Sequence, residues 1–488
     1  MYILAETWIT RTVQVNGGAM TLVDRDLSTA TGPVLSDGTP LRSLIDYDKR
    51  EVSTRLMTDP EIFRMELKNL WAKTWTMLGH ESEIPQPGDF IIRQIGLDPV
   101  IVSRGRKMGI SVLLNICTHR GMQICRAESG RASTFKCPYH GFSFTNEGRF
   151  VGAPIAAEQM HGDVMSKEEL SLSKARVETY AGFIFATWDE NAESLENFLG
   201  EMKFYTDLMW DRLDGLEVLG PPQRAVMKAN WKYAGEQHNV DAYHTISLHH
   251  SLKELELLAG DEETATGLEG GASVSANGHG IRCIDQRVPY LPALKDIGWE
   301  SMSVLEKLTA LPPAGMTADQ VPLLQKRFNE DELRLLADCP PVTGGLFPNI
   351  GYFTLNMAVP GGVIPLIVVH NFVPLGPDRF EYYNWIMVEK SASAELREQM
   401  SQVGNLSFGI SGFVETDDAD TWPQMQKMAQ GHMGSQQKLR YHALRGDTAL
   451  EDWPGGWPGG GHVYLGFGKD DCQWQWWLAY IEKMLENA

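Results

Sequence analysis

The sequence predicts an α+β protein in which an all-β domain precedes a larger domain of strands and helices. Two observations carry this. From about residue 77 to 190, short β-rich runs alternate with Gly, Pro and Asp turns, as in DFIIRQIGLDPVIVSRGRKMGISVLLNIC. After 190, helical segments flank strand-like runs without regular alternation. The helical ones include SLENFLGEMKFYTDLMWDRL, NWKYAGEQHNVDAYHTISL, SAELREQMSQVGNL and WQWWLAYIEKMLENA. The strand-like ones are GGLFPNIGYFTLNMAVP, GVIPLIVVHNFVPLG and RFEYYNWIMVEK.

Taken in order, residues 1–50 carry clusters such as STATGPVLSDGTP and read as an extended arm, with Met20 an alternative start. Residues 54–76 place apolar side chains at helical spacing through EIFRMELKNLWAKTW. The all-β stretch comes next, with Cys/His loops at its tip. Residues 253–343 are mixed, helical near 318–337 and Gly-rich near 259–280.

A chain of 488 residues fits two or three domains. Its 43% hydrophobic and 22% charged content is that of an ordinary soluble globular protein. The longest apolar runs, such as VIPLIVV, fall far short of a membrane span. MYILAETWIT lacks a basic n-region, so a cytoplasmic location is expected. A net charge of -20 argues against nucleic acid and anionic membrane surfaces as partners. Six cysteines make no disulfide framework, and Cys283, Cys339 and Cys472 read as small buried hydrophobes.

The segment CTHRGMQICRAESGRASTFKCPYHG sets Cys117 and His119 in one loop and Cys137 and His140 in another. Two thiolates and two imidazoles can hold zinc. Zinc fingers, however, usually place both cysteines before both histidines. One of each per loop suits a two-iron cluster, with both thiolates on one iron and both imidazoles on the other. Neutral imidazoles reduce the cluster's negative charge and raise its potential. Gly121 and Gly141 come just after the histidines and permit tight turns.

A second constellation, Asp-x2-His-x4-His, places Asp241, His244 and His249 in NWKYAGEQHNVDAYHTISLHHS. The pair His-x4-His is weak evidence alone. On a helix, Asp241 and His244 would share a face, so that the carboxylate could orient the imidazole. His249 would lie about 140° further round, so both imidazoles reach one metal only if the helix ends or distorts between them. A facial triad for non-haem iron(II) also needs a carboxylate. GFVETDDADTW offers Glu415, Asp417, Asp418 and Asp420, and composition does not choose among them.

The stretch CTHRGMQICRAESGRASTFKCPYHGFSFTNEGRFVG resembles the Rieske motif of ring-hydroxylating dioxygenase α subunits, with Phe142 where many members have Trp. Respiratory Rieske proteins usually add a disulfide. Here Cys125 lies near the first loop, but Tyr139 stands where the second extra cysteine would be. The second segment, with Gly-Phe-x-Glu-x-Asp-Asp far downstream of it, is similar to naphthalene- and biphenyl-type dioxygenases.

The resemblance covers nearly the whole chain. It implies a Rieske [2Fe-2S] domain at 74–194 and a catalytic domain at 195–488 with an antiparallel sheet covered by helices (helix-grip-like). The arm and helices of 1–73 would pack on the catalytic domain. It implies Cys117, His119, Cys137 and His140 as cluster ligands, and His244, His249 and Asp418 on a mononuclear Fe(II). Asp241 would link that iron to the cluster of a neighbouring subunit through His140. The implied reaction takes O2 and electrons from NADH, through a reductase and ferredoxin, to form a cis-dihydrodiol. The implied assembly is α3 or α3β3. Gln237, His238, Phe408 and Val414 match pocket positions, and Val414, where a Trp often sits, implies a bulky or polycyclic aromatic substrate. The alternatives are an aromatic carboxylate such as phthalate, or an electron carrier without its own oxygen chemistry.

Overall fold

The computed structural model describes residues 32–155, 165–255, 271–286, 295–313, 316–360, 362–442, 456–466 and 468–486. The expected arm therefore lies outside the described residues up to position 31, as does Met20. The chain just beyond it is tied down. Ile45–Asp46 pairs with Glu51–Ser53, which pairs in turn with Lys438–Arg440. The helical expectation for 54–76 is met by Pro60–Glu66 and its continuation Leu67–Trp71. Asp59 caps that helix by accepting from the Glu61 N–H, with Pro60 in the first turn where its missing N–H costs nothing.

The all-β part contains a seven-stranded antiparallel sheet that includes Asp89–Ile95, Asp98–Arg104, Ile110–Leu114 and Lys174–Tyr180. A three-stranded sheet is built from Thr134–Lys136, Ser143–Thr145 and Phe150–Gly152. The first Cys/His loop leaves the end of Ile110–Leu114, and the second joins two strands of the small sheet. Phe135, Phe142, Phe144 and Phe150 pack beneath both loops.

The larger part is one antiparallel sheet. Its strands are β1 (Leu216–Val218), β2 (Gln223–Met227), β3 (Gly271–Ala276), β4 (His279–Ile284), β5 (Pro341–Leu346), β6 (Ile350–Val359), β7 (Gly362–Gly376), β8 (Arg379–Glu389) and β9 (His462–Leu465). Their order is β1-β8-β7-β6-β5-β4-β3-β9, with β2 also paired to β8. The β3–β4 hairpin falls where the sequence reads as Gly-rich. Small side chains there leave little β signal, and pairing with β5 and β9 supplies the missing stability.

Helices α1 (Trp231–Gln237), α2 (Tyr243–Ser247), α3 (Ala394–Phe408), α4 (Glu415–Ala429) and α5 (Asp471–Leu485) accompany this sheet. Of these, α3 packs on β7 and β8, α5 on β3 and β4, and α1 on β7. Helix α5 is buried almost all round, its Asp471, Gln473, Gln475 and Glu482 included. Its Trp476 meets Trp231 of α1 at 5.7 Å, and Trp231 meets Trp71 at 4.9 Å. Each such indole contributes roughly 2–3 kcal/mol of burial. The N-terminal helices thereby hold α1, which leads into the site.

Candidate active site

The two Cys/His loops fold alike. In each, the cysteine N–H donates to the carbonyl five residues on: Cys117 to Met122 at 2.8 Å, Cys137 to Phe142 at 2.7 Å. In each, the cysteine carbonyl accepts from the glycine N–H four residues on, Gly121 at 2.9 Å and Gly141 at 3.1 Å. Gly121 (φ +75°) and Gly141 (φ +74°) occupy the left-handed region that closes these turns. The turns bring the four side chains together. The Cys117 and Cys137 thiols are in hydrogen-bonding contact, and the His119 and His140 rings lie 4.6 Å apart. Burial first, and then the second thiol, push the Cys117 thiol up. Both cysteines are buried and both histidines half-buried. Phe142, fully buried, stacks on His119 at 4.7 Å.

In the larger domain, His244, His249 and Asp418 form a group whose ligand atoms all lie within 4.8 Å of one another. Among the described residues no other His/Cys/Asp/Glu set meets that single-ion spacing.

Helix α2 ends at Ser247 and the next helix starts at His250, so the chain breaks between the two histidines. That break lets both imidazoles converge. The shared helix face expected for Asp241 and His244 is not what forms. Asp241 precedes α2, at a bend where Val240 holds φ +76°. From there its Oδ1 accepts from the backbone N–H of His244 at 3.3 Å and lies 3.8 Å from Nδ1 of the same residue. The carboxylate therefore hydrogen-bonds the His244 backbone, and its separation from the imidazole is an ion-pair distance rather than the expected hydrogen bond.

Helix α4 explains which acid of GFVETDDADTW turns inward. Glu415, Asp418 and Trp422 recur at helical spacing and are buried, while Asp417 flanks them half-buried. His249 sits between two of these acids, with Nδ1 at 3.1 Å from Asp417 and Nε2 at 3.7 Å from Asp418. Burial opposes charge on His249, yet Asp418 and Asp417 outweigh it and lift its pKa to about 9. Burial alone would raise Asp418. The His249 hydrogen bond and the positive potential of His244 and His249 hold it well below the usual carboxylate range instead.

His244, His249, Glu415 and Asp418 line a cavity that opens to solvent. Gln237, His238, Phe408 and Val414 all line it. Two of them are already engaged. The Gln237 amide donates to Asp418 Oδ1 at 2.9 Å and accepts from Trp422 Nε1 at 2.8 Å. His238 uses Nδ1 on the Ala234 carbonyl at 3.0 Å and Nε2 on His370 at 3.3 Å. Phe408 packs against Phe353 at 4.5 Å and forms the apolar wall.

Residues 74–180 match the Rieske [2Fe-2S] domain, and 214–442 match the ring hydroxylating alpha subunit (catalytic domain). The chain is 31% identical to the N,N-dimethyl phenylurea N-demethylase subunit alpha of Sphingobium sp. (strain YBL2), over 81% of this chain and 83% of that one. It is 31% identical to the benzene 1,2-dioxygenase subunit alpha of Pseudomonas putida, over 85% and 88%. The chain belongs to the ring-hydroxylating oxygenase α subunits. The solved naphthalene 1,2-dioxygenase from Rhodococcus sp., bound to indole, superimposes with a TM-score of 0.77 at 31% identity, covering 90% of this chain and 95% of that one.

As an α subunit of this family it is an oxidoreductase with a terminal oxygenase role, carrying a Rieske cluster and a mononuclear iron. The donors present fit both groups: paired loops with two thiols and two imidazoles for the cluster, and an N,N,O set for the iron. No helix among the described residues is long and apolar enough to cross a membrane.

Sequence reasoning missed three parts of this α subunit's site. His370 and Tyr382, deep in the sheet, extend the His238 contact. Tyr382 O–H lies 2.8 Å from His370 Nε2 and also bonds Glu415. Arg282 of β4 enters the cavity wall beside Thr343. The available signal was a polar residue inside an apolar strand, as His370 is in VIPLIVVHNF.

Proposed function

We propose that this α subunit adds both atoms of O2 to a bulky aromatic substrate, giving a cis-dihydrodiol. The observation that carries this reading is the convergence of His244, His249 and Asp418 in the wall of a largely apolar cavity. In it, Cys117, His119, Cys137 and His140 hold the [2Fe-2S] cluster, and His244, His249 and Asp418 hold Fe(II). When bound, the cluster supplies single electrons and the iron activates oxygen.

The chain's own residues do the rest. Asp241 holds the His244 backbone, and Asp417 orients His249 through Nδ1, which leaves Nε2 turned toward Asp418. Gln237 fixes the Asp418 carboxylate. Phe353 and Phe408 give a ring an apolar surface and exclude water. Val414, 8% exposed, leaves room in the wall for a second ring.

The domains run 74–194 for the cluster and 195–488 for catalysis, with 1–73 packing on the latter. Electrons come from NADH through a reductase and a ferredoxin in the cytoplasm. The assembly is α3 or α3β3, in which Asp241 accepts from His140 of the partner subunit. Half-burial of His119 and His140 leaves the imidazole side of the cluster near the surface, as such transfer needs.

Iron and acid-labile sulfide analysis tests the two-site reading. About three irons and two sulfides per chain are expected, the sum of a two-iron cluster and one mononuclear site. His244→Ala is expected to lose one iron and all turnover while keeping the Rieske visible spectrum. Turnover of single-ring carboxylates alone, in a panel under 18O2, would sink the bulky-substrate reading.

A further inference from the structure

We propose that Arg120, Arg126 and Lys136 form the docking face for an acidic one-electron carrier protein, which reduces the cluster between the two Cys/His loops. This rests on the reading that those loops hold a [2Fe-2S] cluster, and it locates where the electron enters. Residues 117–141 contain Arg120, Arg126, Arg131 and Lys136 against one acid, Glu128, in a chain whose net charge is -20. Two of these five charges are already matched: Arg131 lies 2.7 Å from Asp89, and Glu128 lies 3.0 Å from Arg224. Arg120, Arg126 and Lys136 are exposed and form no ion pair among the described residues.

Their position sets them apart from other surface cations. Arg120 directly follows His119, and Lys136 directly precedes Cys137. The Lys136 side chain crosses the second loop, since a Cβ on Gly141 would stand 3.4 Å from its Cε. Arg126 follows Cys125, whose N–H and carbonyl are both held at 2.8 Å by the Asn115 side chain at the base of the first loop. All three thus lie at the end of the β domain where the half-buried His119 and His140 rings approach to 4.6 Å. Other exposed cations of this domain lie at its opposite end. Arg106 and Lys107 are in the turn that leads into Ile110–Leu114, and the first loop leaves that strand from its other end. Arg149 is in the turn after Ser143–Thr145, and the second loop enters that strand from its other end.

Charge then decides what approaches this face. A strongly negative chain repels an acidic protein from most directions. A local group of unpaired cations reverses that repulsion at one place and steers the encounter there. The place it selects is the rim of the cluster, where a carrier's redox group has the shortest route in. Transfer contacts of this kind are small and short-lived, so a few rim charges suffice to direct them. In the proposed assembly His140 faces Asp241 of the partner subunit. That leaves the first loop, with Arg120 and Arg126, open to the carrier. One electron passes in each encounter. The carrier is oxidised by one electron, the cluster is reduced by one, and no bond breaks. The cations also favour the reduced cluster, which carries one more negative charge than the oxidised one.

The test follows reduction of the oxidised cluster by stopped flow in the holoenzyme, through its visible absorbance. The donors are a reduced acidic plant-type [2Fe-2S] ferredoxin and, for comparison, reduced methyl viologen, a small cation. With ferredoxin the native second-order rate constant is expected to fall about tenfold or more between about 10 and 300 mM salt. Changing Arg120, Arg126 and Lys136 together to Glu is expected to slow reduction by ferredoxin about 10–100-fold at low salt. Reduction by methyl viologen should hold its rate or quicken. A control with Arg106, Lys107 and Arg149 changed to Glu carries the same net charge, and is expected to stay within about threefold of native with ferredoxin. Equal slowing in both triple variants, or a native rate indifferent to salt, overturns the docking face. If the first triple variant loses its Rieske spectrum, Arg120→Gln and Arg126→Gln, each expected to cost about threefold or more with ferredoxin alone, decide it. Dissociation of the native assembly in the triple variant, seen by sedimentation, assigns the face to a contact between copies and overturns the carrier. Reduction of the native cluster by methyl viologen but not by ferredoxin also overturns the face and leaves the cluster reading standing. Absence of a Rieske spectrum in the native protein overturns the cluster reading itself.

Discussion

His370 Nδ1 lies 3.3 Å from His238 Nε2, and a backbone carbonyl fixes which of them donates. The Ala234 carbonyl can only accept, so His238 Nδ1, 3.0 Å away, carries the hydrogen. Burial lowers the His238 pKa to about 4, so its Nε2 is an acceptor at neutral pH. His370 must then donate from Nδ1. Burial first, and then His238, hold it well below the usual histidine value, so its Nε2 also accepts. Tyr382 O–H, at 2.8 Å, fills that role. The Tyr382 oxygen is left to receive a hydrogen from Glu415, whose pKa burial first, and then Asp418, raise to about 8. One directed chain, carboxyl to phenol to imidazole to imidazole to carbonyl, flanks His244, His249 and Asp418.

Replacing His370 by Phe keeps the volume and removes both links. The Tyr382 O–H hydrogen and His238 Nε2 then lose their buried partners, a loss of about 2–4 kcal/mol. Urea unfolding should show a lower midpoint at unchanged slope. Glu415→Gln, whose amide can still donate to Tyr382, should stay within about 1 kcal/mol of the native protein. A His370→Phe protein with the native midpoint would contradict the chain.

Much of this site was readable because its residues sit close in sequence or carry distinctive chemistry. The Cys/His loops are local turns, and residues 117–141 contain every part of them. The break between His244 and His249 followed from helix geometry only on the condition that both histidines reach one metal. The position of Asp241 was not, because a left-handed Val240 is not encoded by any turn residue. His370, Tyr382 and Arg282 were hidden for another reason. Their roles arise from strand register, which pairs β4 with β5 across a long stretch of chain and β7 with β8 in a hairpin. The β3–β4 hairpin was masked by small side chains that gain their strand preference only from pairing.

Gln237 is expected to matter for iron rather than for substrate. Its amide joins Trp422 to Asp418, fixing the carboxylate in one orientation. Gln237→Leu should weaken ferrous iron binding about 10–100-fold, in line with the loss of an orienting partner to a metal ligand. Titration of the iron-free protein measures this directly. The Rieske visible spectrum, which depends on the other domain, should not change.

Glu236 predicts a pH-dependent stability. It is buried in α1, with Oε1 accepting from Tyr441 at 3.1 Å and Oε2 from Gln473 at 2.7 Å. Burial first, and then Asp241, raise its pKa from 4.5 to about 8. The folded protein thus keeps a proton that the unfolded chain gives up above about pH 4.5. Its contribution is fully present below that pH and is lost as pH rises through about 8. The slope in this window approaches about 1.4 kcal/mol per pH unit. Glu236→Gln should lack that slope. Parallel unfolding profiles for the two proteins between pH 5 and 8 would rule the assignment out.

The anchoring of α1 gives the last prediction. Glu66 is fully buried and receives three donors: Lys232 Nζ at 2.5 Å and Tyr480 O–H at 2.6 Å on Oε1, and Trp231 Nε1 at 3.0 Å on Oε2. Lys232 is equally buried, so its charge has been taken wholly out of water. Burial pulls the Lys232 pKa down, and Glu66 is what opposes it. Glu66→Gln leaves that ammonium uncompensated and should cost about 3–5 kcal/mol. Replacing both partners by methionine should recover most of the loss, because neither charge then needs solvation. The two outcomes separate a compensating pair from simple packing, which would make the double variant worse than the single one. Trp231 and Lys232 open the helix that ends at Gln237. The Glu66→Gln protein should therefore also bind mononuclear iron more weakly at temperatures below its unfolding transition, while the double variant binds it nearly as well as the native protein.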